Sequence, residues 1–254
     1  MRLEFRMVRS ASPAARRLLL ARGAEALLAL VASFGASLAL AAASTTHAFV
    51  TVPAESPRAD ALAAEIAGWR KDAGVSRVLV LDARVPAPGS DEQPGFSTLV
   101  LLDFTDEAAF ARWRAAARVP EGTTVRQADA VVHGEAPDRD LAVATYEVNV
   151  YRLTTTPAEY RRFSEGYIVP LMDGQRDHGL LAWYTMYVER APAGEANSVL
   201  VKEYRSDAAY GTAATFKPQL RARLTAEHPT YPRYHEIKET LRKNVSETVA
   251  KVRP

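Results

Sequence analysis

Leu99-Val-Leu-Leu-Asp-Phe-Thr-Asp-Glu-Ala-Ala-Phe110 returns one hundred residues later as Val199-Leu-Val-Lys-Glu-Tyr-Arg-Ser-Asp-Ala-Ala-Tyr210. Each copy opens as an apolar strand and continues with an acid and an aromatic, Asp103-Phe104 or Glu203-Tyr204. A polar cap then leads into acid-Ala-Ala-aromatic, the first turn of a helix. The echo extends outward at the same offset. Ser56-Pro57 and Thr156-Pro157 each begin a helix, since Ser and Thr are good N-caps and Pro is tolerated at the first helical position. Thr156 with Glu159 adds a capping box, in which the glutamate reaches back to the cap.

The remaining segments fall into two matching series. In the first, Phe49–Val52 is a strand, the helix after Ser56 ends at Gly74, Val75–Val85 and Phe96–Phe104 are strands, Asp106–Ala117 is a helix and Thr124–His133 a strand. In the second, Ala144–Leu153, Leu180–Arg190, Ser198–Arg205 and Ser246–Val252 are the strands. Pro170 should kink or shorten the first helix of this half, and Pro218 should interrupt the helix starting at Asp207. Residues 218–245 therefore look like a helical insertion around His228-Pro-Thr-Tyr-Pro-Arg-Tyr-His235.

Each series is βαββαβ, so the fold class is α+β: two tandem ferredoxin-like repeats, residues 49–141 and 142–254. Each four-stranded antiparallel sheet carries helices on one face only, and packing the sheets face to face buries the bare faces. This arrangement resembles the dimeric α/β-barrel superfamily in its fused, single-chain form, over residues 49–254. That superfamily includes cofactor-free monooxygenases, haem-binding enzymes, isomerases and small-ligand-binding proteins. Fold alone does not choose among them, and whether this chain is an enzyme stays open.

Residues 1–48 resemble a secretory leader: six Arg before residue 23, an uncharged Ala/Leu-rich run from Ala26 to Ala43, and small residues for cleavage near 43 or 48. The expectation is export to the periplasm or medium, with no membrane attachment once the leader is cut. The remaining 206 residues carry 26 basic and 28 acidic side chains. No basic stretch is interleaved with aromatics, which excludes a nucleic-acid footprint. The chain has no Cys, so disulfides, thiolate nucleophiles and most zinc sites are excluded. His228 and His235, seven apart, do not have helical metal-site spacing, and no metal is expected.

The inequality of the halves points to a site. All ten Tyr lie after residue 145, with Trp183, His178, His228 and His235. Alternation puts Leu181, Trp183, Thr185 and Tyr187 on one face, opposite Ser76, Val78, Val80 and Asp82 of the first half. Lys202 stands where the first half has Leu102, next to Tyr204, and can meet an anionic ligand or a buried carboxylate such as Glu147. Asn149 and Tyr151 alternate with valines on the first strand of this half. The expected function is binding of a small aromatic or amphipathic molecule by Asn149, Tyr151, His178, Trp183, Tyr187, Lys202 and Tyr204. The alternative is an enzyme, a cofactor-free monooxygenase or a haem-dependent one. His178 would then be the general base or axial ligand, haem being the cofactor the resemblance brings in. A third reading makes Tyr231 and Tyr234 of the insertion a homo-oligomer or partner surface. Asp103 and Glu203, at matching positions, are expected to serve structure near a helix cap.

Overall fold

The computed structural model describes residues 45–54, 59–86, 93–191 and 195–253. The leader through residue 44, the expected cap at Ser56-Pro57 and loop residues 87–92 lie outside them. The first repeat comprises β1 (Thr46–Val52), α1 (Ala59–Trp69), β2 (Val75–Ala83), β3 (Thr98–Phe104), α2 (Glu107–Ala116) and β4 (Thr124–Glu135). The second comprises β5 (Thr145–Leu153), α3 (Pro157–Phe163), α4 (Val169–Asp177), β6 (Leu181–Glu189), β7 (Asn197–Tyr204), α5 (Asp207–Glu227), α6 (Tyr231–Leu241) and β8 (Arg242–Val252).

The echoed stretch forms β3–α2 and β7–α5. All seven residues of β3 are buried because both of its faces are covered. Asp106 caps α2 by accepting from the Ala109 N–H at 2.7 Å, and Ser206 caps α5 through the Ala209 N–H at 3.1 Å. The sheets run β4-β1-β3-β2 and β8-β5-β7-β6, each with the split βαβ order. They face one another, and their edges also pair antiparallel, β2 with β8 and β4 with β6. The result is a closed eight-stranded barrel, which leaves no sheet edge exposed. Its interior is filled by Phe49, Leu81, Leu101, Tyr146, Trp183 and Val201, as expected for eight strands. Two further cores lie outside it, under α1 and α2 around Trp69 and Trp113, and under the helices of the second repeat around Phe163 and Tyr167.

Several expectations need correction. β1 begins at Thr46, three residues before Phe49, and Thr46–Ala48 pair with Leu102–Phe104. Glu159 does not return to the Thr156 cap; its carboxylate accepts from the Thr155 hydroxyl, while Thr156 accepts the Glu159 N–H at 3.2 Å. Pro170 is absorbed by a π-helical turn, Ser164–Ile168, between α3 and α4. There the Val169 N–H bonds the Ser164 carbonyl, and the Gly166 carbonyl, which a non-proline residue 170 would bond, accepts from the Thr230 hydroxyl at 3.4 Å.

Pro218 does not interrupt α5, which runs on to Glu227. Pro218 and Ala214, whose carbonyl loses its partner, both face solvent, so water satisfies the orphan group. The addition to the second repeat is thus a lengthened helix plus α6. β8 starts at Arg242 and not Ser246, because a bulge at Val245 lets pairing with β5 continue to Leu153. Pro218→Ala restores a helical hydrogen bond at an exposed site. It is expected to add ~2 kcal/mol after the loss of proline's unfolded-state advantage. That raises the unfolding midpoint by about 4–8 °C for a domain of this size; an unchanged midpoint would contradict the solvation argument. Among the described residues no helix is long and apolar enough to cross a membrane.

Candidate ligand site

Strand register decides what each side chain faces. Arg77 pairs Asp103 and Trp183 pairs Glu203, so Arg77, Leu79 and Leu81 are the counterparts of Trp183, Thr185 and Tyr187. This differs by one residue from the counterparts the sequence suggests, and a one-residue slip exchanges faces. The cause is one extra residue in the second half: Val75, which pairs Phe104, directly follows Gly74, whereas Leu180 stands between Gly179 and Leu181, which pairs Tyr204. Both halves share a bulge in the strand that follows, after Val75 and after Leu181. It turns Leu181 toward the helices while Trp183, Thr185 and Tyr187 point into the barrel.

Trp183 and Tyr187 therefore belong to an ionic network at one end of the barrel interior. His47 Nδ1 lies 2.7 Å from Asp103, and Arg77 Nε donates to the same carboxylate at 2.6 Å. Burial pushes the Asp103 carboxyl up, but the His47 hydrogen bond and Arg77 prevail and hold it below the usual carboxylate range. Glu203 accepts two hydrogen bonds from the Arg139 guanidinium and one from the Tyr146 hydroxyl. The guanidiniums of Arg77 and Arg139 lie 5.1 and 5.3 Å from the Trp183 ring centroid, at cation–π distance. Tyr187 meets the His47 and Phe49 rings edge-on at 5.0 and 5.1 Å. Asp103 and Glu203 thus face the barrel interior, not a helix cap, because they share the inward face with Leu101 and Val201.

Asn149, Tyr151, Lys202 and Tyr204 meet on the other face of the second sheet, under the helices. Lys202 forms a buried ion pair with Glu147, whose Oε2 also accepts from the Tyr204 hydroxyl at 2.8 Å. Lys217 of α5 reaches the same carboxylate at 3.5 Å. Burial lowers the Lys202 ammonium to about 8. Burial also raises Glu147, but two lysines and the hydrogen bonds outweigh it and bring the carboxyl down to about 2. Asn149 donates to Glu247 at 2.8 Å, and its buried Oδ1 has no hydrogen-bond partner among the described residues. Arg242 lies 3.7 Å from the Tyr151 ring centroid and donates to the Tyr160 hydroxyl at 3.3 Å. A cavity of about 380 Å³ lies between the β2–β3 connection, at residues 84–86 and 93–94, and Tyr210, Glu247 and Val249, and Glu247 joins it to this cluster. Val249 pairs Glu147, Glu247 pairs Asn149, and Tyr210 packs edge-on to Tyr204 at 5.2 Å.

His178 joins neither group. It is the exposed C-cap of α4, its ring stacked on Phe216 at 4.0 Å, with Gly179 after it at φ +76°, a conformation that favours glycine. Tyr231 is fully buried and stacks on Tyr167 at 4.9 Å, so its ring serves the core, while Tyr234 packs against Phe163 and stays partly exposed.

His178, the expected axial ligand, lines neither the 380 Å³ cavity nor the barrel interior, while a bond at Nδ1, as in His47 and His133, leaves Nε2 able to ligate. His47 is bonded to Asp103, His133 to Thr185 at 3.0 Å, and His178 is stacked on the outside. His228 accepts the Tyr231 N–H at 3.2 Å, and His235 stacks against Tyr167 and Tyr231. Sequence reasoning missed Lys217 and Arg242, which lie where the second repeat is lengthened, and Glu247, which stands on β8 where the first repeat has Val125 on β4. It also missed His47, assigned to the leader, and Arg139, assigned to the break between repeats.

No protein-family model matches the chain, and no curated protein matches it. Solved structures do. An anthrone oxidase-like protein superposes with a TM-score of 0.56 at 11% identity, covering 83% of this chain and 92% of that one. A candidate monooxygenase from Fusobacterium nucleatum subsp. nucleatum ATCC 25586 superposes with a TM-score of 0.50 at 12% identity, again covering 83% and 92%. At such identities the likeness is one of fold. With its two βαββαβ repeats closed into one eight-stranded barrel, the chain has the fold of the dimeric α/β-barrel superfamily, both halves fused in a single polypeptide.

Proposed function

We propose that this chain is an exported small-molecule-binding protein that holds a small aromatic acid between its second sheet and α5. One observation carries the reading. Five positions that are Ala48, Val50, Val52, Leu102 and Phe104 in the first repeat are Glu147, Asn149, Tyr151, Lys202 and Tyr204 in the second. The first repeat builds the same strands with apolar residues, so the fold does not require the polar set. A buried ion pair is in any case weak support for stability. Lys217 reaches Glu147 only at 3.5 Å and is partly exposed, so its ammonium can turn from that carboxylate to a ligand's acid group. Tyr210, which packs edge-on to the buried Tyr204, lines the 380 Å³ cavity and offers its ring to the ligand's. Export rests on the leader. Cleavage after Ala43 is the proposed site, since cleavage after Ala48 would remove three paired residues of β1.

The test is a thermal-shift series with 4-hydroxybenzoate and related aromatic acids. A ligand at a hundredfold excess over Kd stabilises by ~2.7 kcal/mol, a shift of about 5–11 °C here. The shift is expected in the wild type and absent in Glu147→Leu/Lys202→Met/Tyr204→Phe. Equal shifts in both, or none in the wild type across the series, would remove the assignment.

A catalytic role at the same cluster is the second reading, and Lys202 favours it. Burial draws its ammonium below the ordinary lysine range, and it shares Glu147 with the Tyr204 hydroxyl, so proton donor and acceptor groups stand together there. Oxygen uptake in the presence of a bound phenol, lost in Lys202→Met, would establish a monooxygenase-type activity; binding without turnover would leave the first reading.

A further inference from the structure

We propose that the open end of the barrel is a second binding site, for a small aromatic amine. This end lies opposite the Trp183 network. Its cavity of about 230 Å³ is walled by Phe49, Phe96, Leu99, Val148, Val150 and Val199, drawn from both repeats. An apolar cavity of about 150 Å³ suffices for benzene, so this one takes a ring with a short arm.

One buried polar group gives the site its chemistry. Glu189, the last residue of β6, is 9% exposed and lines the cavity. Its Oε2 accepts from the Asn197 side chain at 3.0 Å and from the Asn197 backbone N–H at 3.4 Å. Its Oε1 has no hydrogen bond among the described residues. A carboxylate with an open acceptor beside an apolar wall is the complement of an ammonium group on an apolar body. Arg126 stands at the rim but is solvent-exposed and makes no hydrogen bond to Glu189, so water already serves its guanidinium. Burial also pushes the Glu189 carboxyl above the usual range, against the pull of Arg126, the two Asn197 hydrogen bonds and Arg152.

The site is separate from the Glu147–Lys202 cluster, which lies on the outer face of the second sheet, and the two are tested independently. Calorimetric titration of the full barrel with phenethylamine, phenylacetate and toluene is the experiment. Phenethylamine is expected to bind tightest. Glu189→Gln should weaken it about 10- to 100-fold, the scale of a lost charge-assisted hydrogen bond, while toluene is unaffected. Val150→Phe, which fills the cavity, should abolish binding of both. The Glu147→Leu/Lys202→Met/Tyr204→Phe variant should bind phenethylamine as the wild type does. Glu189→Gln relieves a buried acid and should melt no lower than the wild type. Tighter binding of phenylacetate, equal binding by Glu189→Gln, or no binding of phenethylamine would each overturn the proposal.

Discussion

Replacing Lys202 with methionine alone is expected to lower the unfolding midpoint by about 6–20 °C, whereas Glu147→Leu, Lys202→Met and Tyr204→Phe together should leave it unchanged or raise it. The single change strands Glu147, 3% exposed, with only the more distant Lys217 as a counter-charge. Removing one member of a buried pair costs ~3–5 kcal/mol, and a domain of this size loses about 2–4 °C per kcal/mol. The triple change removes the charges and the hydroxyl together, and similar apolar volumes replace them. Such replacements are neutral or stabilising by ~1–4 kcal/mol. The first repeat is the internal precedent, with Ala48, Leu102 and Phe104 packed in the same places. Differential scanning calorimetry of the three proteins checks both halves of the claim.

The same variants carry a pH signature. Glu147 has a folded pKa of about 2 against an ordinary value of 4.5. Its contribution is therefore complete above about pH 4.5 and is lost as the pH falls toward 2. Acid titration of stability should be shallower over that window in the triple variant. A triple variant that melts as low as the single one would mean that the ion pair is needed for the fold, and the argument for a ligand site would lose its premise.

Much of this was legible because the chain carries its own reference. The Leu99–Phe110 echo dictates two copies of one topology, and bare sheet faces dictate that the copies pack. Lys202 stood out because Leu102 says what a purely structural residue would be. The bulges after Val75 and Leu181 were hidden, since Ser76 and Ala182 carry no signature of lost pairing. They take Leu181 off the face that plain alternation shares with Trp183, and the extra residue Leu180 after Gly179 shifts the apparent counterparts of Trp183 by one position and so exchanges the faces. Pro218 misled for a different reason: its penalty depends on whether Ala214 reaches water, which no local pattern records. Lys217 and Arg242 lie where the second repeat is lengthened, so no counterpart marked them as unusual, and the same addition breaks the constant offset that would have set Glu247 against Val125.

Arg139→Met is the second large effect expected, again a loss of about 6–20 °C, and its reason lies in the departure from symmetry at Trp183. In the first half the acid on the third strand, Asp103, takes its cation from the neighbouring strand through Arg77. In the second half the Arg77 position is Trp183, so Glu203 has no cation within its own sheet. Arg139, from the connection between repeats, supplies it with two hydrogen bonds and lies at cation–π distance from the ring that displaced its counterpart. The Glu203 side chain is fully buried, so its loss of Arg139 leaves a desolvated carboxylate with the Tyr146 hydroxyl as its remaining partner, at a cost of ~3–5 kcal/mol. Adding Glu203→Gln should recover most of that, because a neutral amide still accepts from Tyr146 and no buried charge remains. Arg190→Ala is the contrasting control. Its pairs with Glu107 and Asp129 are exposed and should be worth ~1 kcal/mol or less. If Arg139→Met melted no lower than Arg190→Ala, the charge on Glu203 would have another source of stabilisation. The connection between repeats would then be a tether and not the clamp that closes this end of the barrel.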